Sequence, residues 1–291
     1  MFSKISYLVG MLALCMATDN VKPYTADDQQ RVIKDQHGRQ VLYHGVNVVY
    51  KVAPYIPEEA TFDSQDSLTD KDIKDLQNWG MNLVRLGVMW EAVETSPGVY
   101  NETYLKEVDQ LITKMGEAGI YTLVDAHQDV MARVICGEGM PNFYAKEIIA
   151  NGTYCIGEYT DYFFGSAMKY LGFCKPMDDY GFRKDKDGNP LIEDCQTTPF
   201  FNYYTSPESW TIFRELWTNK NGLQDKYVAY WEAVAKVLAK NQYVIGFDPT
   251  NEPLPSWTSL VNMLWTIMPE SGHFDKYDLQ PMYKRIYELY A

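Results

Sequence analysis

Two apolar rhythms alternate along this chain. Residues 41–49 (VLYHGVNVV), 82–90 (NLVRLGVMW), 121–126 (YTLVDA) and 244–248 (VIGFD) are short and nearly continuous in apolar character, a pattern that suits strands buried on both faces. Between them, Ile73, Leu76 and Trp79, and then Leu105, Val108, Leu111, Ile112 and Met115, recur at helical spacing. Thr69 with Asp72 has capping-box spacing, and Gly80 and Gly119 fit as helix stops. A long helical stretch over residues 207–240 precedes the fourth strand, and a last amphipathic piece begins near Pro281, with Met282, Ile286 and Leu289 on one side. Strand, helix, strand, helix, four times over, predicts βα units on a parallel sheet.

Residues 129–206 depart from this rhythm. A connection that long is functional or disordered, and its Tyr, Phe, Cys and Gly content favours an ordered excursion facing a ligand. It holds Cys136, Cys155, Cys174 and Cys195, whereas Cys15 lies near the start of the chain. Two disulfides are expected, with all three pairings open. No CxxC spacing occurs, so a zinc site is not expected, and no ligand cluster suggests another metal or a cofactor.

The start of the chain reads as an address. Lys4, an apolar run to about Met16 and the small Ala17 form a secretory signal over residues 1–17, leaving 18–291 as the mature chain. Lumenal or secreted localisation follows, and the sequons at Asn101 and Asn151 are consistent with it. No later run is long enough to span a bilayer, so no transmembrane anchor is expected. Charge narrows the partners: 39 acidic against 26 basic residues give −13, opposite to the balance a phosphate-tracking surface needs, which excludes nucleic acid.

In parallel βα folds, the C-terminal strand ends build the site. Here they give Asn47 and Lys51, then Arg85 and Trp90, then His127, Gln128 and Asp129, then Asn251, Glu252 and Pro253. Four apolar strands running into polar groups are hard to explain by packing. Pro253 should push Glu252 into an extended conformation, and in an aromatic, partly dehydrated cleft that carboxyl would favour its neutral form and could donate a proton.

Arg85 in NLVRLGVMW, His127 in DAHQDV and Asn251-Glu252-Pro253 after a fourth strand resemble glycoside hydrolase family 5. The strings GMNLVRLGVMW, DAHQDVMARVICGEGMPNF and GFDPTNEP, with LQPMYKRIYELY beyond, are similar to the endoglycoceramidases of that family, which release intact glycans from ceramide. The resemblance runs from about Leu42 to the C-terminus and implies a (β/α)8 TIM barrel. It implies Glu252 as general acid/base, Asn251 on the sugar 2-hydroxyl and His127 lining the sugar subsite. Arg85 would hold the nucleophile's carboxylate, and Asp129 and Lys51 would grip the sugar next to ceramide. No cofactor is needed for such chemistry. The implied partner is a glycosphingolipid or other β-glycoside, with contact at a membrane surface where glycolipid lies.

The family's nucleophile is a Glu ending the seventh strand, whereas only four strands can be counted here. Neither Glu270 nor Glu288 fits that place, so the barrel is expected to be truncated after about the fourth βα unit and the chain inactive. A β-glucosidase or endoglucanase of the same family, and a non-catalytic sugar- or glycolipid-binding fragment, are the alternatives. Three aromatic clusters, Phe143-Tyr144, Tyr162-Phe163-Phe164 and Phe200-Phe201, serve either as a ceramide platform or as the excursion's own core.

Overall fold

The structure is a computed structural model that describes residues 24–27, 29–157, 160–162, 167–168, 170, 174–255 and 272–290. The signal segment 1–17, Phe163, Phe164 and Glu270 lie outside the described residues. Residues 24–42 fall in one compact unit, in which β1 (Tyr24–Asp27) and β2 (Val32–Asp35) form an antiparallel hairpin. The remainder belongs to a second, larger unit beginning at Tyr43.

The larger unit is organised by a sheet in the order β3 (Gly45–Val48), β4 (Leu83–Gly87), β7 (Tyr121–Asp125) and β8 (Val244–Asp248), with every neighbouring pair parallel. A small hairpin, β5 (Glu94–Ser96) with β6 (Val99–Tyr100), follows β4. Consecutive strands lie side by side, as in one half of a (β/α)8 barrel.

The helices start and stop for local reasons. Before α1 (Asp70–Asn78), the Asp72 amide donates to the Thr69 hydroxyl at 3.3 Å while the Thr69 amide donates to the Asp72 carboxylate at 2.8 Å. This is the reciprocal cap that the spacing predicts. Helix α2 (Glu102–Glu117) is capped by Asn101, whose side chain accepts the Tyr104 amide at 3.1 Å. Its apolar stripe, Leu105 to Met115, is buried as its spacing requires. The long helical stretch is two helices, α4 (Pro207–Trp217) and α5 (Leu223–Leu238). They break where Asn219, Asn221 and Gly222 all take positive φ, a conformation that Asn and Gly adopt at least cost.

Helix α5 ties the sheet's upper ends together. The Tyr230 hydroxyl donates to the Val88 carbonyl at 2.6 Å, and Tyr227 and Trp231 both donate to the Pro249 carbonyl, at 2.6 and 3.2 Å. The final helix, α6 (Gln280–Tyr287), buries Met282 and Ile286, while Leu289 is half-buried beyond its end.

The excursion over residues 129–206 is ordered where described. It contains α3 (Asn142–Ala150), several one-turn helices and two disulfides, Cys136–Cys195 and Cys155–Cys174. Closing loops of 59 and 19 residues stabilises by roughly 3–4 kcal/mol each in chain-entropy terms. Its aromatic clusters divide. Tyr144 is buried against Trp90, whereas Phe200 and Phe201 stay exposed.

One close approach fixes how α2 lies on the sheet. The Tyr243 ring covers Gly116 so tightly that a Cβ there would stand 2.0 Å from a ring carbon. Gly116→Ala is expected to destabilise by about 1–3 kcal/mol through overpacking, against a helix-propensity gain of about 1 kcal/mol. Adding Tyr243→Ala should recover part of that loss in a denaturant-melt double-mutant cycle. A neutral or stabilised Gly116→Ala would mean that the ring does not lie there.

Candidate active site

Strand register gathers the first charged group. Asp125 is in register with both Gly87 and Asp248, and Arg85 sits two residues before Gly87 on β4. The guanidinium therefore reaches both aspartates. Its Nη2 donates to Asp125 Oδ1 at 2.9 Å, to Asp248 Oδ2 at 2.7 Å and to Asn251 Oδ1 at 3.0 Å, while Nε donates to Asp248 Oδ2 at 3.0 Å. Arg85 is thus both an internal ion-pair partner and a fixture for the Asn251 amide.

The charge pattern continues outward. The His127 ring sits between two carboxylates, with Nδ1 2.7 Å from Asp125 Oδ2 and Nε2 3.3 Å from Asp129 Oδ2. Burial would lower its pKa, but these two partners override it and lift the value to about 9. Lys51 contacts the Asp129 carboxylate and lies 2.8 Å from Glu138 Oε1. Burial raises Asp129, yet hydrogen bonds from His127 and Lys51 hold it well below the usual carboxylate range. Glu138 goes the other way: burial, reinforced by the neighbouring Asp129 charge, pushes it up to about 7 against the pull of Lys51.

The loop after β8 is stitched to the loop after β7. Gln128 Nε2 donates to the carbonyls of Asn251 and Glu252 at 2.5 and 3.1 Å, and Asn251 Nδ2 returns a bond to the Gln128 carbonyl at 2.9 Å. Two expectations fail at this loop. Glu252 is not extended before Pro253: its φ is +40°, because tertiary hydrogen bonds from Gln128 outweigh the local preference imposed by proline. Its side chain is also solvent-exposed rather than enclosed in a dehydrated aromatic cleft. Tyr204 lies near enough for the Glu252 charge to contribute to its raised pKa, after burial as the main cause.

Of the residues expected to form a site, the structure joins Arg85, Asn251, His127, Asp129 and Lys51 in one hydrogen-bonded network, with Glu252 adjoining through the backbone. The reading missed the roles of Asp248, Glu138 and Tyr204. Asp248 had a signal in being an acid that ends a strand. Glu138 had one in being flanked by Gly137 and Gly139. Tyr204, whose hydroxyl is 3.5 Å from Asp129 Oδ1, had none.

Protonated His127 makes stability pH-dependent. Its folded pKa of about 9 exceeds the ordinary 6.5, so the folded chain holds a proton that the unfolded chain releases between those values. The contribution is complete below about pH 6.5 and is lost as pH rises to about 9, amounting to up to about 3 kcal/mol. In urea melts, His127→Asn should cost most at pH 6 and progressively less toward pH 9. A cost independent of pH would remove the charged imidazole from this picture.

The model of the family "Cellulase (glycosyl hydrolase family 5)" matches residues 35–171. An endoglycoceramidase from Hydra vulgaris is 30% identical over 249 residues, covering 86% of this chain and 44% of that protein. Among solved structures, an endogalactoceramidase superimposes with a TM-score of 0.62 at 20% identity, over 93% of this chain and 50% of the other. Endo-glycoceramidase II from Rhodococcus sp. in complex with ganglioside GM3 does so with a TM-score of 0.59 at 22% identity, over 88% and 48%. The chain therefore spans about half the length of the relatives it matches. The barrel type follows from the fold likeness, and the sequence relationships agree with it: residues 35–171 match the glycosyl hydrolase family 5 model, and the chain is endoglycoceramidase-like over most of its length.

Proposed function

We propose that this chain carries the acid/base side of a retaining glycosidase that cleaves the β-bond between an oligosaccharide and ceramide in glycosphingolipids. One observation carries the reading. At the C-terminal ends of neighbouring parallel strands, the loop bearing Glu252 is hydrogen-bonded to a charge network that runs from buried Asp125, His127 and Asp129 and half-buried Arg85 out to the exposed Lys51. That network presents charged donors and acceptors to a polyhydroxylated ligand. The names of the relatives, and the ganglioside bound in one of them, support the substrate class.

In this mechanism Glu252 gives its proton to the departing ceramide oxygen while a second carboxylate attacks the anomeric carbon. Glu252, now ionised, then takes a proton from the water that hydrolyses the glycosyl intermediate. Asn251, fixed by Arg85 and Gln128, offers its amide to the sugar 2-hydroxyl, and His127, Asp129 and Lys51 hold the neighbouring hydroxyls. Asp125, Asp129 and Asp248 belong to the network held by Arg85, His127 and Lys51, and the nucleophile is not assigned to any of the described residues.

We place the protein in a lumenal or secreted compartment, with a cleaved leader over residues 1–17. The two disulfides support an oxidising environment. Among the described residues no helix is long and apolar enough to cross a membrane.

In a full-length version that carries the second carboxylate, Glu252→Gln should lower glycolipid turnover by roughly 10²–10⁴-fold while leaving substrate binding largely intact. Azide should restore turnover on a substrate with a good leaving group. Product analysis separates the readings: intact oligosaccharide plus ceramide supports this one, and monosaccharide release supports a β-glucosidase. Near-normal turnover by the Gln variant on the natural glycolipid would remove Glu252 from the role.

A further inference from the structure

Glu138 is placed with more care than a loop acid needs. It forms an antiparallel bridge with Asp129, in which the Asp129 amide donates to the Glu138 carbonyl at 3.1 Å and the Glu138 amide returns a bond at 2.8 Å. Both flanking positions must be glycine. A Cβ on Gly137 would meet the Asp129 carbonyl oxygen at 2.2 Å, and one on Gly139, where φ is +117°, would meet the His127 carbonyl oxygen at 2.7 Å. Glu91 clamps the turn further, its amide and carboxylate each bonding to the Gly139 backbone at 2.7 Å. The result is a pair of carboxyls, Asp129 and Glu138, bridged by Lys51.

Lys51 and Glu138 also line an open groove of about 550 Å³, together with Arg133, Ile192, Phe200 and Tyr203. That volume suits a small organic ligand. The lining decides its class. A lipid chain would strip water from Lys51, Arg133 and Glu138 without giving them partners, which is costly. A sugar offers hydroxyls to those groups and an apolar C–H face to the exposed Phe200 ring.

We propose that Glu138 is a glycan-contacting residue: it binds the hydroxyls of the sugar unit beyond the one that Asp129 and Lys51 hold, and Phe200 forms the stacking wall of that subsite. This inference rests on the glycosidase reading above, in which Asp129 grips the sugar at the reaction centre. Because its pKa lies near 7, the Glu138 carboxyl both donates and accepts across the neutral range.

The test is calorimetric titration of the full chain with methyl β-glucoside and methyl β-lactoside, alongside Glu138→Ala and Phe200→Ala. The unaltered chain should prefer the disaccharide. Each variant should cut that preference by roughly 3–10-fold, the size of one or two net hydrogen bonds or contacts, with glucoside affinity nearly unchanged. Phe200 is exposed, so its variant guards against a folding defect at Glu138. A preference for lactoside that survives both variants would overturn the inference and leave the glycosidase reading standing. So would Glu138→Ala weakening both sugars equally, which marks a merely structural role. Octyl β-glucoside binding more tightly than lactoside, and losing that advantage in Phe200→Ala, would make the groove a lipid site. Failure of the unaltered chain to bind either methyl glycoside would overturn both the inference and the reading on which it rests.

Discussion

The Arg85 guanidinium is the contact on which the rest of the site depends. Asp125 is fully buried and Arg85 half-buried, and an unpaired charge at the depth of Asp125 costs several kcal/mol. The pair is tolerable because Arg85 meets Asp125, Asp248 and Asn251 together. Those partners stand on β7, on β8 and in the loop after β8, so satisfying one cation fixes the register of three strands and the start of the Glu252 loop. Slipping β8 by one residue would turn Asp248 to the other face and leave the arginine short of a partner.

From that anchor the charges alternate in sign: Arg85, Asp125, His127, Asp129, Lys51. Each cation lies between two acids, so each member stabilises the charged state of its neighbours. Glu138 ends the series, and it ends it differently. Burial, reinforced by the Asp129 charge, drives this second carboxyl at Lys51 toward its neutral form. A network of this kind is stiff, because each hydrogen bond constrains the next. Stiff, preoriented polar groups are what a site needs to hold a sugar without spending binding energy on reorganisation.

Much of this was legible in the chain, and for physical reasons. Apolar runs between helical stripes announce a parallel sheet because both of its faces must be covered, and β8 occupies the residues that its apolar run marks, Val244–Asp248. The Thr69–Asp72 cap is local and was readable as such. Asn251, His127, Arg85, Asp129 and Lys51 were visible as polar groups ending apolar strands. What escaped depends on contacts distant in sequence. Asp248 could be read as the end of a strand, but its pairing with Arg85 lies 163 residues away. The φ of Glu252 is set by Gln128, more than 120 residues upstream, against the local preference of Pro253. Two hairpins, over residues 24–35 and 94–100, have short strands with mixed faces and leave no clear period.

The network is densely bonded on one side of the Asn251 loop and open on the other. Asn251, His127 and Asp129 are buried and doubly or triply bonded, whereas Glu252, the next residue after Asn251, is exposed on a left-handed turn. Gln128 produces that contrast. By gripping the Asn251 and Glu252 carbonyls it fixes the backbone beneath the carboxyl and leaves the carboxyl itself free of the network. That division between a bonded network and an exposed carboxyl is produced by one glutamine side chain set between two loops that lie more than 120 residues apart in sequence.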